Sequence, residues 1–323
     1  MLDANAVSWI RLLVQAADHG GSWSGFCNER GPPAGTRTRQ SLAAGCFAVH
    51  PFILARHSEC SRIVISLCPA RESLSFDRAS HYYDRTRALP AEAATAVTDL
   101  LLGELSGRGR VLEIGIGTGR VGYPLHRLGL ELYGIDISAP MLDKLREKPG
   151  GSNLPTALAD STRLPFADHV FGAAFACHVL HLIPQWRQAV AELARVVAAG
   201  GTVLVDPGGL ERGDSATISQ RFIDEIGGRR PGMQYPSELD AVFAEQGASL
   251  RALEPVKAHH EVTLGSIIDD LEAGLYSATW EASQEQRNKA AVVVRTWAEE
   301  TFGDLDEQRT ISWDIRWRAY DLP

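Results

Sequence analysis

The residues best suited to chemistry lie around a glycine-rich stretch in the first half of the chain. Gly115, Gly117 and Gly119 alternate with other residues there, and Glu113 stands just ahead of them. Glycines at this spacing let the backbone turn tightly and let a ligand approach without meeting a Cβ atom. A second carboxylate, Asp136, follows about 20 residues on, where a nucleotide-binding unit places an acid that accepts hydrogen bonds from ribose hydroxyls.

The apolar pattern around these residues predicts the elements that position them. Residues 111–114 read as a short buried strand, and Val121, Leu125 and Leu128 recur at spacings that predict a helix behind the loop. Residues 131–136 predict a second strand that ends on the carboxylate. Strand, glycine loop and helix, with helix N-terminal N–H groups facing the ligand, open a nucleotide-binding βαβ unit.

Glu113 distinguishes between two ligands that such a unit could bind. Residues 117–122 match the Gly-x-Gly-x-x-Gly pattern of dinucleotide sites, but a carboxylate at the loop entrance would repel the pyrophosphate of NAD. S-adenosylmethionine has no phosphate and carries a sulfonium and an ammonium cation, so an acid ahead of the glycines suits it better. The stretch resembles that of the class I S-adenosylmethionine-dependent methyltransferases, in particular the small-molecule group that includes quinone-biosynthesis enzymes.

The resemblance implies an α/β fold with a doubly wound, mostly parallel sheet of seven strands. It covers residues 75–323 and is strongest over residues 110–206. The family joins its last two strands as a hairpin, whereas here about 45 residues with two helical patterns separate the strands predicted at 250–263 and 310–320. We therefore expect a helical insertion before the last strand, acting as a lid or as the contact of a homodimer.

Residues 1–74 differ in composition from the methyltransferase-like domain expected at 75–323. They contain no lysine and several clusters of glycine, proline, serine and threonine. The sequence thus predicts a poorly ordered N-terminal extension, with a regulatory or partner-binding arm as the alternative.

The resemblance also implies which residues contact the cofactor. An acid after the third strand, here Asp160, bonds the adenine amino group in the family, although it could instead cap a turn. An aromatic-rich entry segment closes over the cofactor in the family, although Tyr83 in this segment could equally pack against the sheet. The set expected to bind the cofactor is Tyr83, Glu113, Gly115, Ile116, Gly117, Gly119, Asp136, Ile137, Met141, Ala159, Asp160, Ser161 and Cys177.

Methyl transfer from a sulfonium is an in-line displacement with a neutral thioether leaving, so positioning supplies much of the rate. A base matters only when the acceptor begins protonated. His181 matches the histidine common after the fourth strand of the family and is the candidate base, unless it serves packing or hydrogen bonding; His178 is a weaker candidate. The adjacent His259 and His260 would point to opposite faces of a strand, so no metal site is predicted.

The bulk properties of the chain exclude several classes of function. Its 323 residues carry a formal net charge of −8, which argues against nucleic-acid binding because phosphate neutralisation needs a basic face. There is no apolar run of about 18 residues to span a membrane, and no signal-peptide pattern. The five cysteines show no metal-like pairing, so a reduced, cytoplasmic protein is expected.

The acceptor is expected to be a small molecule. The Asx-Pro-Pro-aromatic motif of adenine-N6 and glutamine methyltransferases is absent after the fourth strand. Acceptor specificity is expected from residues 76–87, 207–236 and 264–302, where Tyr276 and Trp280 could line a pocket or pack the inserted helices. An NAD(P)-dependent oxidoreductase and a non-catalytic S-adenosylmethionine-binding protein are the alternative functions.

Overall fold

The computed structural model describes residues 73–208, 213–228 and 231–323. The extension predicted at 1–74 therefore lies outside the described residues, except for Ser73 and Leu74. In chain order the strands are β1 (Val111–Ile114), β2 (Leu132–Asp136), β3 (Thr156–Leu158), β4 (Phe171–Cys177), β5 (Val197–Asp206), β6 (Ser249–Ala252), β7 (Val256–Thr263), β8 (Gln308–Ile315) and β9 (Arg318–Asp321).

Seven of these strands form one sheet in the order β3-β2-β1-β4-β5-β9-β6. Neighbouring strands from β3 to β5 pair in parallel, and β9 runs antiparallel to both β5 and β6. This confirms the predicted doubly wound, mostly parallel seven-stranded sheet. Ile114 lies opposite Ile135 on one side and Ala176 on the other, so the loops after β1, β2 and β4 meet at one sheet edge.

The helices cover both faces of the sheet and build the insertion. They are α1 (Tyr83–Arg87), α2 (Ala91–Leu105), α3 (Gly122–Arg127), α4 (Ala139–Glu147), α5 (Trp186–Val196), α6 (Asp214–Glu225), α7 (Pro236–Glu245), α8 (Leu264–Glu272) and α9 (Gln284–Phe302). Two apolar clusters, one on each face, bury every residue of β1. A central parallel strand buried on both faces reads as a near-continuous apolar run, which is why β1 was recognisable. None of the helices in the described ranges is long and apolar enough to cross a membrane.

The last part of the chain differs from the prediction in how its strands are divided. The strand predicted at 250–263 is two strands, β6 and β7, and the one predicted at 310–320 is β8 and β9. β6 and β9 pair in the main sheet, whereas β7 and β8 form a separate two-stranded antiparallel ladder. Apolar residues continue through both breaks, so the pattern concealed them. Pro255, which has no N–H for a ladder, lies between β6 and β7.

The insertion therefore extends the family hairpin and leaves the main sheet intact. The ladder runs from Val256 opposite Ile315 to Thr263 opposite Gln308, and α8 and α9 follow at its far end. Both helices pack with α6 around a third apolar cluster that includes Phe222, Ile268 and Val294. The insertion thus has a core of its own.

Candidate active site

A cavity of about 660 Å³ opens at the sheet edge where β1, β2 and β4 end. The structure brings ten of the thirteen residues predicted to bind a cofactor into its wall. They are Tyr83, Gly115, Gly117, Asp136, Ile137, Met141, Ala159, Asp160, Ser161 and Cys177. The wall also includes Ser73 and Leu74, which the sequence did not single out, and Phe76, the first residue of a segment expected to select the acceptor. Residues 73 and 74 thus belong to the site, although the domain was expected to begin at residue 75.

The glycine loop adopts a backbone that other residues rarely accept. Gly115, Gly117 and Gly119 have φ angles of +66°, +56° and +80°, in the left-handed region that glycine enters without steric cost. A Cβ atom at Gly115 would lie 2.5 Å from Val179 Cγ2, and one at Gly119 would lie 2.5 Å from Leu145 Cδ1. The loop is therefore closely packed on its protein side and bare on the cavity side.

Asp136 joins the glycine loop to the start of α4. Its Oδ2 accepts a hydrogen bond from the Gly117 N–H at 2.8 Å, and its Oδ1 accepts one from the Ser138 N–H at 2.8 Å. Burial raises the pKa of this carboxyl to about 6, although the backbone N–H groups of Ser138, Gly117 and Ile137 oppose the rise. Two fixed donors hold the carboxylate in the cavity wall, where the hydroxyls of a ribose could donate to it.

Asp160 both shapes a turn and lines the cavity. Its Oδ1 accepts from the Thr162 N–H at 2.8 Å and from the Thr162 hydroxyl at 2.9 Å, so the alternative role of a turn cap is present as well. Together with Asp136 it gives the wall two carboxylates, and the described wall contains no lysine or arginine. Such a wall favours a ligand with positive charge and opposes one with a pyrophosphate.

Three of the predicted cofactor residues lie behind the wall. Glu113 is only 2% exposed and its carboxylate lies against Gly122 at the start of α3; burial raises its pKa well above the usual value. The charge argument made from Glu113 is therefore carried by Asp136 and Asp160 instead. The Ile116 side chain packs on Gly134 of β2, and the Gly119 N–H donates to the Ile116 carbonyl. These residues support the loop.

The structure distinguishes between the two histidines that follow β4. His178 lines the cavity, has a φ angle of +52°, and places Nε2 3.0 Å from Asp206 Oδ2. His181 lies in the short 3-10 turn Leu180–Leu182 and is not among the lining residues. Asp206 was not predicted as a partner of His178, because the pair depends on the register that sets Cys177 of β4 opposite Asp206 of β5.

Asp206 is an anion, and its carboxylate lies within hydrogen-bond distance of the His178 ring. Its burial alone would raise the carboxyl pKa, but several groups outweigh this effect. The charge and hydrogen bond of His178, the N–H of Gly208 and the charge of Arg120 together bring the pKa below the ordinary value. When the ring is neutral, the nitrogen that donates to this buried carboxylate leaves the other nitrogen as an acceptor, which is the arrangement of an oriented general base.

A second, smaller cavity of about 340 Å³ adjoins the first and shares Cys177 and His178 with it. Its remaining wall contains Arg120 and Asp206 and is otherwise apolar, from α2 and the strand end around Trp313 and Trp317. The Arg120 guanidinium donates to the Arg87 carbonyl at 3.2 Å and to Cys177 Sγ at 3.2 Å. Burial raises the pKa of the Cys177 thiol, so this sulfur stays protonated and is no nucleophile at neutral pH.

Cys177, His178 and Asp206 also place a possible metal-ligand atom each within 4.8 Å of one another. These residue types can coordinate transition metals. The Arg120 Nη2 atom lies 3.2 Å from Cys177 Sγ, however, and its permanent charge opposes a second cation at the same place. The cluster is better explained as a hydrogen-bonded pair beside a thiol.

The entry segment closes one side of the first cavity. Asp84 of α1 accepts a hydrogen bond from Thr118 of the glycine loop, and Phe76 packs against Trp280 of the insertion with ring centroids 4.7 Å apart. Tyr276 lies under the Arg87 guanidinium at 4.2 Å. Neither Tyr276 nor Trp280 lines either cavity. Both contact the entry segment, and Tyr276 also packs against the third apolar cluster, in line with the alternative role of packing the inserted helices.

Comparisons with known proteins agree with this geometry. Residues 112–205 match the family model of a methyltransferase domain. Over 127 residues the chain is 33% identical to a phosphatidylethanolamine N-methyltransferase of Cereibacter sphaeroides, which covers 37% of this chain and 62% of that relative. Over 149 residues it is 30% identical to a demethylmenaquinone methyltransferase of Clavibacter sepedonicus, which covers 45% of this chain and 60% of that relative.

The chain thus spans less than two thirds of the length of these curated relatives. Among solved structures, the YcgJ protein of Bacillus subtilis resembles it with a TM-score of 0.51 and 19% identity, covering 71% of this chain and 99% of that one. A likeness at this identity shows the fold alone. The segment that matches the methyltransferase family model, residues 112–205, begins in β1 and ends in β5. It therefore contains most of the residues that line the first cavity.

Proposed function

Because the chain carries a class I S-adenosylmethionine-dependent methyltransferase domain, we propose that the protein transfers a methyl group from S-adenosylmethionine to a small-molecule acceptor. The observation that carries this proposal is the wall of the first cavity, with two carboxylates and no lysine or arginine. Asp136 would accept from the ribose hydroxyls, and Asp160 would lie beside the adenine. When bound, S-adenosylmethionine supplies an activated methyl group on a sulfonium.

We propose His178, in place of the predicted His181, as the general base. Asp206 Oδ2 lies 3.0 Å from His178 Nε2 and orients the ring, and the left-handed backbone at His178 turns the chain at the end of β4. A base here would accept a proton from a hydroxyl or amine acceptor as the new bond to the methyl carbon forms. Acceptors that are already ionised would not need it.

The names of the relatives do not identify the methyl acceptor of this chain. The relative from Cereibacter sphaeroides is named for methylation of the nitrogen of a phospholipid amine, and the one from Clavibacter sepedonicus for methylation of a quinone precursor. Their alignments cover less than half of this chain. We therefore propose only the class of reaction from the domain, and the acceptor chemistry is argued below from the second cavity.

Calorimetric titration with S-adenosylhomocysteine and with NADH tests the cofactor directly. We expect saturable binding of S-adenosylhomocysteine and none of NADH. Release of S-adenosylhomocysteine from S-adenosylmethionine should then be measured against a panel of phenols, amines, thiols and carboxylic acids. Tight NADH binding would favour the oxidoreductase, and cofactor binding without turnover of any acceptor would favour a non-catalytic binding protein.

Cofactor affinity should depend on pH through Asp136. Its pKa of about 6 without ligand means that the carboxylate is mostly ionised at pH 7 and mostly protonated at pH 5. Only the ionised form accepts from both ribose hydroxyls, so affinity for S-adenosylhomocysteine should fall about tenfold between pH 7 and pH 5. Titration calorimetry on the wild type and on Asp136→Asn checks this; an equal pH dependence in the variant would place the titrating group elsewhere.

We also propose that residues 1–72 form an extension that the site does not need. A chain that begins at Ser73 should melt within about 2 °C of the full chain and bind S-adenosylhomocysteine equally well. A chain that begins at Asp77 is the matched comparison, because it lacks Leu74, whose N–H donates to the Leu182 carbonyl, and Phe76 of the cavity wall. That chain should lose affinity. Weaker binding by the first chain would show the extension to be part of the site.

A homodimer in the cytoplasm without nucleic-acid partners completes the proposal. Val292 and Val293 of α9 are 67% and 44% exposed, and an adjacent apolar pair on the insertion fits a contact between two copies. The net charge of −8 opposes binding to nucleic acid. Light scattering of the wild type and of Val292→Glu would test the contact. A dimeric wild type and a monomeric variant support it, and equal molar masses for the two proteins contradict it.

A further inference from the structure

The second cavity is lined by Arg120 and Trp317, whose guanidinium and indole N–H are hydrogen-bond donors, and by one carboxylate, Asp206. Among the described residues no carboxylate oxygen comes within ion-pair distance of the Arg120 guanidinium; its recorded acceptors are one carbonyl and one thiol sulfur. Trp317 is 1% exposed and its buried Nε1–H has no hydrogen-bond partner. A buried donor without an acceptor destabilises the fold, and native proteins carry few of them.

The nearby acids do not satisfy these donors. Asp206 contributes charge to Arg120, but its two oxygens already accept from His178 and from the Gly208 N–H. Cys177 and His178 also line this cavity, and the rest of the wall is apolar or aromatic and includes Leu89, Ile315 and Trp313. A ligand that fits this wall has an apolar body and a single anionic end, because a guanidinium binds a carboxylate more strongly than a neutral acceptor.

The position of the cavity connects it to methyl transfer. Cys177 and His178 belong to the walls of both cavities, so an occupant of the second cavity would lie next to the cofactor pocket and next to the proposed base. We propose, on the basis of the proposed function, that the second cavity is the acceptor site and that Arg120 and Trp317 bind the carboxylate of the acceptor. The substrate class is a small organic acid that also carries a hydroxyl or amino group.

The proposed step is balanced by this chain's own residues. The acceptor oxygen or nitrogen forms a bond to the methyl carbon as the bond from that carbon to sulfur breaks, and the electron pair stays on the neutral thioether. The proton of the acceptor goes to His178. The carboxylate is unchanged in the reaction, and its contacts with Arg120 and Trp317 fix the distance between the acceptor nucleophile and the methyl group.

The insertion supplies much of this site. Trp313 and Ile315 belong to β8, and Trp317 lies between β8 and β9. The ladder of β7 and β8 thus brings aromatic residues toward α2 and Arg120. Acceptor selection by the insertion was expected from Tyr276 and Trp280, but the structure offers this strand instead.

A comparison of the affinities of matched acids and amides tests the proposal. The complex with S-adenosylhomocysteine would be titrated calorimetrically with acetate, butyrate, benzoate and phenylacetate, and with the neutral amide of each. We expect at least one acid to bind ten times more tightly than its amide. Trp317→Phe, which removes the N–H and keeps an aromatic ring, should reduce this preference to less than threefold, and Arg120→Gln should abolish it.

Trp186→Phe is the matched control, since Trp186 is a buried tryptophan that lines neither cavity, and it should retain the preference. Melting temperatures confirm that each variant is folded; if Arg120→Gln is not, Trp317→Phe decides alone. The proposal is overturned if no acid is preferred by the wild type, or if Trp317→Phe weakens S-adenosylhomocysteine as much as the acids, which would place the methionine carboxylate in this cavity. Failure to bind S-adenosylhomocysteine at all would contradict the proposed function itself.

Discussion

Replacing His178 with asparagine should lower kcat by about 10²–10⁴-fold, the usual contribution of a positioned general base. Asparagine accepts the left-handed backbone found at this position more readily than most residues, so the end of β4 should keep its shape. Affinity for S-adenosylhomocysteine should change less than twofold. The measurement is steady-state kinetics on a hydroxyl or amine acceptor found in the panel, with calorimetry for the cofactor.

His181→Asn is the matched control, because it removes a histidine of the same loop that lies outside both cavity walls. It should leave kcat within about threefold. Asp206→Asn should lower kcat and change the pH dependence of kcat, because the ring loses the anion that orients it, while a thiolate or another ionised acceptor should be spared. A larger loss in His181→Asn than in His178→Asn would restore His181 as the base.

Replacing Asp136 with alanine should weaken S-adenosylhomocysteine by about 1.5–3 kcal/mol, the range for hydrogen bonds to an ionised group. The variant also removes the acceptor for the Gly117 and Ser138 N–H groups, so the glycine loop would lose a support as well as a ligand contact. Calorimetric titration at pH 7.5 gives the change in affinity directly.

Asp143→Ala is the control for the loss of one negative charge. Asp143 lies on α4 and pairs with Arg146 at 3.0 Å, and it does not line the cavity. It should change the affinity by less than 0.5 kcal/mol, as expected for an exposed pair. If both variants weaken S-adenosylhomocysteine equally, a long-range charge effect rather than a ribose contact would explain the result.

Local patterns predicted the part of the site that local structure builds. The glycine loop and Asp136 belong to one strand-loop-helix-strand unit, in which chain direction alone sets the order of the groups. Gly115, Gly117 and Asp136 meet at one cavity for this reason, whereas the other seven of the ten predicted wall residues were expected from the family resemblance. Glu113 could not be placed in the same way, because a strand buried on both faces gives no alternation from which to tell which side a residue faces.

The features that sequence reasoning missed depend on contacts distant in the chain. The pair of His178 and Asp206 exists because β4 and β5 are neighbours in the sheet. The second cavity unites Arg120 of the glycine loop with Trp317 near the end of the chain. Neither pairing leaves a periodic signal. The break between β6 and β7 was hidden for a related reason, since the same apolar spacing serves two different sheets.

The placement of β9 between β5 and β6 has a consequence for how the protein folds. β9 follows both of its neighbours in the chain, and it pairs with β5 across more than a hundred residues, as in Thr202 with Asp321. Until β9 is synthesised, β5 presents an open row of backbone donors and acceptors, the kind of edge through which chains associate wrongly. The pairing of β9 with β5 joins residues far apart in the chain and therefore costs much loop-closure entropy. We expect this pairing to be the slow step of folding. Amide hydrogens of β1 and β4 should therefore become protected from exchange before those of β9 during refolding.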